Sequence, residues 1–373
     1  MRILSVVGAR PNFMKVAPIV KALEARGAAF EHILVHTGQH YDDLLSSSFF
    51  RDLGIPAPDV NLEVGSGTHA EQTARVLLAF EPVCREYQPD VVLVVGDVNS
   101  TLACALTAKK LGIDVAHVEA GLRSGDREMP EEINRLCTDS ISDHLFTTDR
   151  LADDNLRKEG VPEHKIHFAG NVMIDTLLSF RQQAAELAFH KKLGLEERGY
   201  ATLTLHRPSN VDNQGTFKRI LGALARVSEE VPLIFPAHPR TRSAIMKFGL
   251  GDYFSSGRIR MIDPLGYLEF LSLNSHARMV LTDSGGIQEE TTILGVPCIT
   301  LRENTERPIT LTEGTNTLVG SDPEAIIAAF ARANAATDYA SAIPEKWDGK
   351  AAERIVDTLA DQYFLPDMQL QAS

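Results

Sequence analysis

The chain has 373 residues, 44% hydrophobic and 23% charged, which is typical of a soluble globular protein with about two domains. Its formal net charge of -13 and pI near 5.4 argue against nucleic acid as the main partner. The short apolar start does not fit a signal peptide, and no apolar run approaches the roughly 18 residues of a membrane span. We therefore expect a cytoplasmic protein without a membrane segment.

Short β-branched runs alternate with helical patterns in two successive series along the chain. The predicted strands are apolar throughout, as parallel strands covered on both faces are. Each series is therefore expected to form its own doubly wound α/β sheet. The first series includes Ile3–Val7, Ile33–His36, Val91–Val95 and Val115–Val118, and the second is Ala201–Leu205, Leu233–Pro236, Ile259–Ile262, Met279–Thr282 and Cys298–Leu301.

The border between the two series lies near Gly170-Asn171. The pattern therefore predicts a first Rossmann-like domain over residues 1–170 and a second over residues 171–349. The second domain begins with a helical stretch from Met173 to about Lys192. A long amphipathic helix pattern runs from Glu345 to Tyr363, with no strand after it. We expect this C-terminal helix, residues 350–373, to pack back on the first domain.

The turn after the first strand is a candidate anion site. It reads Gly8-Ala9-Arg10-Pro11-Asn12-Phe13-Met14-Lys15. The glycine permits a tight turn, the following helix directs its N–H groups at a ligand, and Arg10 and Lys15 add positive charge. The segment lacks the GKS/T of a P-loop, and the alternative is a plain strand–helix turn. The Gly65–Ala70 segment also lacks the context of a dinucleotide fingerprint, so it is interpreted as a loop and helix cap, and no NAD is expected.

A second candidate anion site follows the run Met279–Leu281. Ser284 can cap the next helix or bind a phosphate oxygen, while Gly285 and Gly286 let the backbone approach closely. Glu290 lies about one and a half turns into that helix, where a carboxylate suits a ribose diol. The run RENTER at 302–307 brings more basic residues to the same rim. Two anion sites, one per domain, predict a ligand that bridges a cleft.

Acidic side chains form the third feature. Asp97 and Glu119 each follow a predicted parallel strand, and ligands bind at the carboxyl ends of such strands. Glu131 comes directly after Pro130 at a predicted helix start, where the helix dipole favours its ionised form. His206 ends a strand beside Arg207. Three acids around one cleft can divide general acid and base roles, although each alone is more often a cap or a surface residue.

Neither metal nor disulfide chemistry is expected. The histidines lack metal-ligand spacing, and no HExxH is present. No CxxC pair occurs, and each cysteine lies in an apolar or helical stretch, so we expect buried free thiols in a reducing compartment. The four cysteines are Cys84, Cys104, Cys137 and Cys298.

Eight segments in chain order resemble the non-hydrolysing UDP-N-acetylglucosamine 2-epimerases, from about residue 2 to residue 320. They are GARPNFMK, TGQHYD, GDVNST, HVEAGLRSGDREMPEEINR, GN at 170–171, HR at 206–207, DSGGIQEE and TERP. The resemblance implies a glycosyltransferase-B-like fold of two Rossmann-like domains around a cleft. It also implies a homodimer without a cofactor, and UDP bound mainly by the second domain.

The resemblance assigns roles to individual residues. It implies Arg10 and Lys15 at the nucleotide–phosphate end, Glu290 on the ribose and Phe270 near the uracil. Phosphate is expected at Ser284, Gly285 and Gly286, and nucleotide at Arg307. The implied catalytic positions are Asp97, Glu119, Glu131 and His206. The family reaction eliminates UDP to give a 2-acetamidoglucal and then adds UDP back on the other face. We expect Asp97 or Glu131 to remove the proton, with Glu119 as the partner or as an orienting group.

The sequence also departs from well-known bacterial members. They carry AQHRxM where this chain reads Gly38-Gln39-His40-Tyr41-Asp42, a segment linked to an activating UDP-sugar site, so such activation is not implied here. TGQHYD and MPEEINR are closer to archaeal members and to relatives that act on diacetamido-uronic acid sugars. That substrate, a glycosyltransferase of the same fold and a non-catalytic UDP-sugar sensor are the alternatives.

Overall fold

The computed structural model describes residues 1–38, 54–336 and 342–371, and it leaves out the side chains of Arg10 and of residues 365–371. The motif residues Gln39–Asp42 therefore lie outside the described part. The chain divides into two compact units. The first comprises Met1–Thr176 with Glu345–Ser373, and the second comprises Leu177–Pro344.

The first unit is built on a seven-stranded sheet in the order β3-β2-β1-β4-β5-β6-β7, with every pairing parallel. Its strands are β1 (Arg2–Val7), β2 (Glu31–His36), β3 (Val60–Asn61), β4 (Val91–Val95), β5 (Asp114–Ala120), β6 (His144–Thr147) and β7 (Ile166–Phe168). The helices described between them are α1 (Arg10–Ala25), α2 (His69–Tyr87), α3 (Asn99–Lys110), α4 (Pro130–Ile141) and α5 (Arg150–Lys158).

The second unit repeats this arrangement in a six-stranded parallel sheet of order β10-β9-β8-β11-β12-β13. A helix α6 (Val172–Leu187) leads into it from the first unit. Its strands are β8 (Ala201–Thr204), β9 (Leu233–Pro236), β10 (Ile259–Ile262), β11 (Met279–Thr282), β12 (Cys298–Thr300) and β13 (Asn316–Leu318). Its helices are α7 (Phe189–Lys192), α8 (Pro208–Val211), α9 (Gln214–Glu230), α10 (Pro239–Phe248), α11 (Tyr267–Ser275), α12 (Gly285–Leu294), α13 (Ile309–Thr312) and α14 (Pro323–Ala335).

The apolar strand pattern has the expected cause, because both faces of each central strand are covered. All five residues of β4 are buried, as is every residue of β11. The predicted α/β class with two doubly wound sheets is confirmed, and the predicted strands are all present. Thr68 caps α2 by accepting the N–H of Glu71, so the Gly65–Ala70 segment is the predicted loop and cap.

The C-terminal helix α15 (Ala351–Gln371) begins six residues later than the amphipathic pattern suggested. Gly349 has φ +82°, a left-handed conformation that a regular helix does not contain, and the N–H of Lys350 donates to Asp348. The preceding Trp347 is buried in the first unit, where its indole N–H donates to the carbonyl of Thr148 at 3.0 Å.

One expectation about the thiols is wrong. Cys84, Cys104 and Cys298 are buried, but Cys137 is exposed on the outer side of α4. An amphipathic helix has one solvent face, and position 137 falls on it. Within the described ranges, no helix combines the length and the apolarity that crossing a membrane requires.

Candidate functional site

The turn between β1 and α1 is held by Asn12. Its carboxamide oxygen accepts the N–H of Ala9 at 2.9 Å, and its amide group donates to the carbonyl of Val95 at 3.0 Å. This side chain therefore ties the β1–α1 turn to the end of the neighbouring strand β4. Asn12 was not singled out as a candidate. The side chain of Arg10, which was, lies outside the described residues.

Lys15 and Glu119 form a buried ion pair at the carboxyl edge of this sheet. The ammonium nitrogen of Lys15 lies 2.5 Å from Oε2 of Glu119, and both side chains are at most 9% exposed. Glu119 has φ +69°, and the β5–β6 register shifts between Val118 and Ala120, so Glu119 is a bulged residue in a left-handed conformation. A non-glycine residue in this region costs about 1–3 kcal/mol and needs surrounding contacts to persist.

Asp97 lies at the same edge, on the turn after β4. Arg135 of α4 pairs with its carboxylate and with Glu132, whose carboxylate is 2.6 Å away. Asn134 donates to the carbonyl of Asp97 at 2.9 Å. Arg135 is 2% exposed and Asp97 27% exposed, so a buried cation fixes a carboxylate that solvent still reaches.

Glu131 stands apart from this network. It lies in the first turn of α4, after Pro130, and is partly exposed. Among the described residues it makes no ion pair or side-chain hydrogen bond, whereas its neighbour Glu132 is fully engaged with Arg135 and two backbone N–H groups. The first unit thus brings Lys15, Asp97 and Glu119 to one edge, and Glu131 lies on the helix α4 whose Asn134 and Arg135 contact Asp97.

In the second unit, His206 lies at the end of β8 beside Asp283. Nδ1 of His206 is 2.8 Å from Oδ1 of Asp283, and the backbone N–H groups of His206 and Arg207 donate to the same carboxylate. Burial alone would raise the pKa of Asp283, but its hydrogen bonds and charge interaction with His206 outweigh burial and lower this pKa. The ring of His206 remains partly exposed.

The N-terminus of α12 forms the second expected anion site. Ser284 occupies the N-cap position, but its hydroxyl makes no capping hydrogen bond. Its own N–H donates to Thr282 at 3.0 Å. The helix therefore starts without a side-chain cap, and its first residues are Gly285 and Gly286. A Cβ added at Gly285 would lie 2.6 Å from the carboxylate of Glu306, so a larger residue here would have to displace a carboxylate that Arg302 and Arg307 hold.

Buried arginines surround that helix start. Arg302 and Arg307 contact the carboxylate of Glu306 at 2.8 and 2.9 Å, and Arg307 also lies 3.0 Å from Glu289. Burial alone would raise the pKa of Glu306, but Arg307 and Arg302 lower it well below its ordinary range. Arg207 approaches the same carboxylate at 3.9 Å. Three guanidinium groups thus converge beside the uncapped N-terminus of α12.

Glu290 is buried one turn further along α12. Its burial and the neighbouring charge of Glu289 raise the pKa of Glu290 to about 8. The hydroxyl of Tyr267 is also buried and has no hydrogen-bond partner within the described ranges. Phe270, on the same helix as Tyr267, packs partly buried against Val280 and its neighbours. A buried acid without a countercharge is a costly arrangement that is common at ligand sites.

Several of these partners were not predicted as site residues. They are Asn12, Glu132, Arg135, Asp283, Glu289 and Glu306. The i,i+3 spacing of Glu132 and Arg135 is a sequence signal for a helical ion pair, and it could have been used. Glu306 likewise lies four residues after Arg302 and next to Arg307, a local signal of the same kind. The contacts of Asn12 with Val95 and of Asp283 with His206 join residues far apart in the chain, which no local pattern reveals.

Comparison with known proteins shows the family. The sequence model of the UDP-N-acetylglucosamine 2-epimerases matches residues 21–360 of this chain. The chain belongs to the UDP-N-acetylglucosamine 2-epimerase family. The resemblance inferred from the eight segments is therefore confirmed, and so is the α/β class of this epimerase.

Two relatives and one solved structure illustrate the likeness. The UDP-N-acetylglucosamine 2-epimerase of Methanocaldococcus jannaschii is 45% identical over 96% of this chain and 99% of its own length. The UDP-2,3-diacetamido-2,3-dideoxy-D-glucuronate 2-epimerase of Pseudomonas aeruginosa is 42% identical over the same shares. The crystal structure of the Methanocaldococcus jannaschii UDP-GlcNAc 2-epimerase with UDP-GlcNAc and UDP has a TM-score of 0.89, at 44% identity over 96% of this chain and 99% of that one.

The site residues of this epimerase are acids, one histidine, and cations. In the described part of the chain, no group of three or more His, Cys, Asp or Glu side chains is arranged to hold a metal ion. What the arrangement offers chemically is proton transfer at the edge of the first sheet and anion binding at the edge of the second.

Proposed function

We propose that this protein interconverts UDP-N-acetylglucosamine and UDP-N-acetylmannosamine without hydrolysing them. The observation that carries the proposal is the division of chemistry between the two sheets. Carboxylates in differing environments lie at the edge of the first, and arginines meet an uncapped helix N-terminus at the edge of the second. An enzyme that expels a nucleoside diphosphate and moves a proton needs both.

The second unit is the proposed nucleotide site. The helix start at Ser284, Gly285 and Gly286 and the guanidinium of Arg307 suit the diphosphate, because backbone N–H groups and cations both stabilise anions. Glu290 suits the ribose hydroxyl groups, since a buried carboxyl group that has no countercharge among the described residues gains from hydrogen-bond partners on a ligand. Phe270 supplies an apolar surface for the uracil.

The first unit supplies the proposed proton chemistry. A base takes the proton at C2 of the sugar while the C1–O bond breaks, UDP leaves, and a 2-acetamidoglucal remains. UDP then adds back to C1 as a proton returns to the other face of C2. Glu131 and Asp97 are the candidate bases, because both carboxylates are reached by solvent. Glu119, paired with Lys15, is the proposed partner acid or orienting group.

Charge develops on the diphosphate as UDP leaves. Arg10, Lys15 and His206, together with the start of α12, are the proposed groups that stabilise it. His206 is suited to this role because Asp283 holds its Nδ1 side, which leaves Nε2 for a ligand. Preorganised donors aimed at a developing anion are the largest contribution in many enzymes.

A homodimer and a cytoplasmic location complete the proposal. The homodimer is implied by the resemblance of the sequence segments to the family, and the cytoplasmic location is an expectation from the sequence pattern. Light scattering coupled to size exclusion tests the first, with an expected mass of about twice the 40.9 kDa of one chain. A monomer of full activity would exclude it.

The test of activity is incubation with UDP-N-acetylglucosamine in deuterated water, followed by proton NMR. UDP-N-acetylmannosamine is expected to appear, with deuterium entering C2. Free N-acetylmannosamine and UDP would instead indicate a hydrolysing enzyme. Sugar turnover without deuterium at C2 would exclude the elimination route.

A second candidate substrate is a UDP-diacetamido-uronic acid sugar. The observation that favours it is the 42% identity to the Pseudomonas aeruginosa enzyme, close to the 45% shared with the Methanocaldococcus jannaschii enzyme. Parallel assays with both nucleotide sugars decide between them. The substrate is the nucleotide sugar whose kcat/KM is at least about tenfold higher, a difference that corresponds to about 1.4 kcal/mol of transition-state discrimination.

A further inference from the structure

His117 is a buried residue of β5 that the proposed chemistry does not use. It is two residues before Glu119 and has no exposed surface. Its Nδ1 lies 2.6 Å from Oδ1 of Asp139, and its Nε2 lies 2.8 Å from the carbonyl oxygen of Gly96. Each ring nitrogen is thus at hydrogen-bond distance from a partner outside β5.

Both partners of this ring accept hydrogen bonds. A backbone carbonyl cannot donate, and an ionised carboxylate cannot donate either. Burial alone would raise the pKa of Asp139, but His117, Arg123 and the N–H of Gly121 outweigh it and lower this pKa. Oδ2 of Asp139 also accepts the N–H of Gly121 at 3.0 Å and faces the guanidinium of Arg123 at 2.7 Å, contacts that suit an ionised carboxylate. With a carboxylate on one side and a carbonyl on the other, the geometry points to a proton on each ring nitrogen of His117, which is an imidazolium.

The charges around this ring alternate in sign. Arg123 lies 2.7 Å from Oδ2 of Asp139 and 2.6 Å from Glu159. The sequence of charges is imidazolium, carboxylate, guanidinium, carboxylate. On the other side, beyond Gly96, lie the paired charges of Lys15 and Glu119. An imidazolium is compatible with this interior because Asp139 directly faces it.

Asp139 also contacts the chain on the far side of Glu119. Its Oδ2 accepts the N–H of Gly121 at 3.0 Å. One carboxylate therefore holds His117, two residues before Glu119, and Gly121, two residues after it. The residue between them is the bulged Glu119 with φ +69°. Such a conformation persists only where neighbouring contacts enforce it.

The second bond of His117 reaches the turn that carries Asp97. Gly96, whose carbonyl it binds, has φ +68° and precedes Asp97. A Cβ at Gly96 would lie 2.9 Å from the ammonium of Lys15 and 3.7 Å from the carboxylate of Glu119. The carbonyl of Gly96 is thus fixed from one side while the Lys15–Glu119 pair packs against its α-carbon.

We propose that His117 and Asp139 are positioning residues that hold Glu119 and the Gly96–Asp97 turn in their reactive arrangement. The imidazolium of His117 links the ends of β4 and β5, and Asp139 spans the bulge at Glu119. Neither side chain needs to touch the sugar. The catalytic part of this inference rests on the proposed epimerase activity, whereas the protonated state of His117 does not.

The test compares Asp139→Asn with a matched control, Asp143→Asn. Asp143 follows the same helix, accepts the N–H of Val115 at 2.9 Å and pairs with Lys109 at 2.7 Å. It therefore fixes β5 at the opposite end, away from Glu119. D139N is expected to lower kcat about 100-fold and leave KM within about threefold, because small displacements of catalytic groups carry costs of this size.

D143N is expected to lose thermal stability comparable to that lost by D139N and to keep kcat within about twofold. Equal kcat losses in the two variants would show that both carboxylates are merely structural and would overturn the positioning role. A D139N loss confined to KM would overturn it as well. An inactive wild-type protein would refute the proposed function, and the protonation test below would still stand.

The protonation test needs no variant. Nitrogen–proton correlation spectra of histidine-labelled wild-type protein, with His117 assigned through its backbone, report protons on each ring nitrogen. We expect bonded protons on both nitrogens of His117 at pH 7.5. A single protonated nitrogen would overturn the imidazolium, and a ring without a proton on Nε2 would also overturn the link between β4 and β5. This result is independent of activity and of whether D139N folds.

Discussion

Nδ1 of His206 lies 2.8 Å from the buried carboxylate of Asp283, which also accepts the backbone N–H groups of His206 and Arg207. A carboxylate that accepts from Nδ1 fixes the proton there and presents Nε2 to a ligand. We expect Asp283→Asn to lower kcat at least about 100-fold, the lower range for a mispositioned acid–base group. Steady-state kinetics measure this, with Asp263→Asn, an exposed carboxylate, as the control. Unchanged kcat in D283N would remove His206 from the chemistry.

Glu290 is expected to lower stability at high pH. Its pKa is raised to about 8, above the ordinary 4.5, so the folded protein retains a proton that the unfolded chain has lost. The free energy of unfolding attributable to this group therefore falls as pH rises from about 4.5 to about 8. E290Q should exceed the wild type in urea midpoint at pH 8 and match it near pH 4.5. Equal midpoints at pH 8 would contradict this, and the exposed Glu324→Gln controls for charge removal.

Glu290→Gln is expected to weaken UDP binding about tenfold, because a carboxyl group that can give up its proton and become a charged acceptor of the ribose hydroxyl groups is replaced by an amide that stays neutral. Calorimetric titration with UDP measures it. A variant that gains stability but loses UDP affinity is the result expected when a residue is retained for ligand binding at a cost in stability. UDP affinity equal to the wild type would exclude Glu290 from the nucleotide site.

Lys15 and Glu119 are expected to depend on each other. Removing one member of a buried ion pair leaves an uncompensated charge, at a cost of about 3–5 kcal/mol. K15M should therefore be strongly destabilised, and the double variant K15M/E119Q should regain much of the loss. Urea unfolding of the wild type, K15M, E119Q and K15M/E119Q gives the coupling energy between the two residues. Additive effects would show that the pair is not coupled, and R157M, which breaks an exposed pair, should change nothing measurable.

Trp347 is expected to be a main anchor of the C-terminal segment. It is 2% exposed and donates to the carbonyl of Thr148, so W347A should cost about 3–5 kcal/mol in the first unit. Circular dichroism measures the loss. Tryptophan fluorescence cannot, because Trp347 is the single tryptophan of the chain and the variant lacks it. L78A, at a 75% exposed position, should stay within about 0.5 kcal/mol of the wild type. A comparable loss in L78A would contradict the anchor role.

The strands were predictable where they are long and uniformly apolar, as Val91–Val95 is. The pattern did not reveal β6, β7 and β13, which have three or four residues and include polar ones such as His144, His167 and Asn316. A strand this short is stabilised by its neighbours in the sheet, and its own composition carries little signal. The start of α15 was missed because Gly349 interrupts a pattern that periodicity alone continues.

The candidate acids were predictable because Asp97 and Glu119 follow recognisable strands. Their partners were not, since Arg135 is 38 residues from Asp97 and Lys15 is 104 residues from Glu119. The left-handed backbone of Glu119 had no sequence signal either, because glycine is the residue that ordinarily marks it. The sequence thus indicates the candidate groups, and the fold determines how each is held.

The backbone passes between the two units twice, after Thr176 and after Pro344. A ribosome therefore releases the whole second unit before the segment that contains Trp347, and before Ala351 and Ala352 can donate to Asp175. The second unit, being contiguous, can finish folding during translation, whereas the first waits for the segment that begins at Glu345. A stop codon shortly before codon 345 would thus damage the half of the enzyme that was synthesised first.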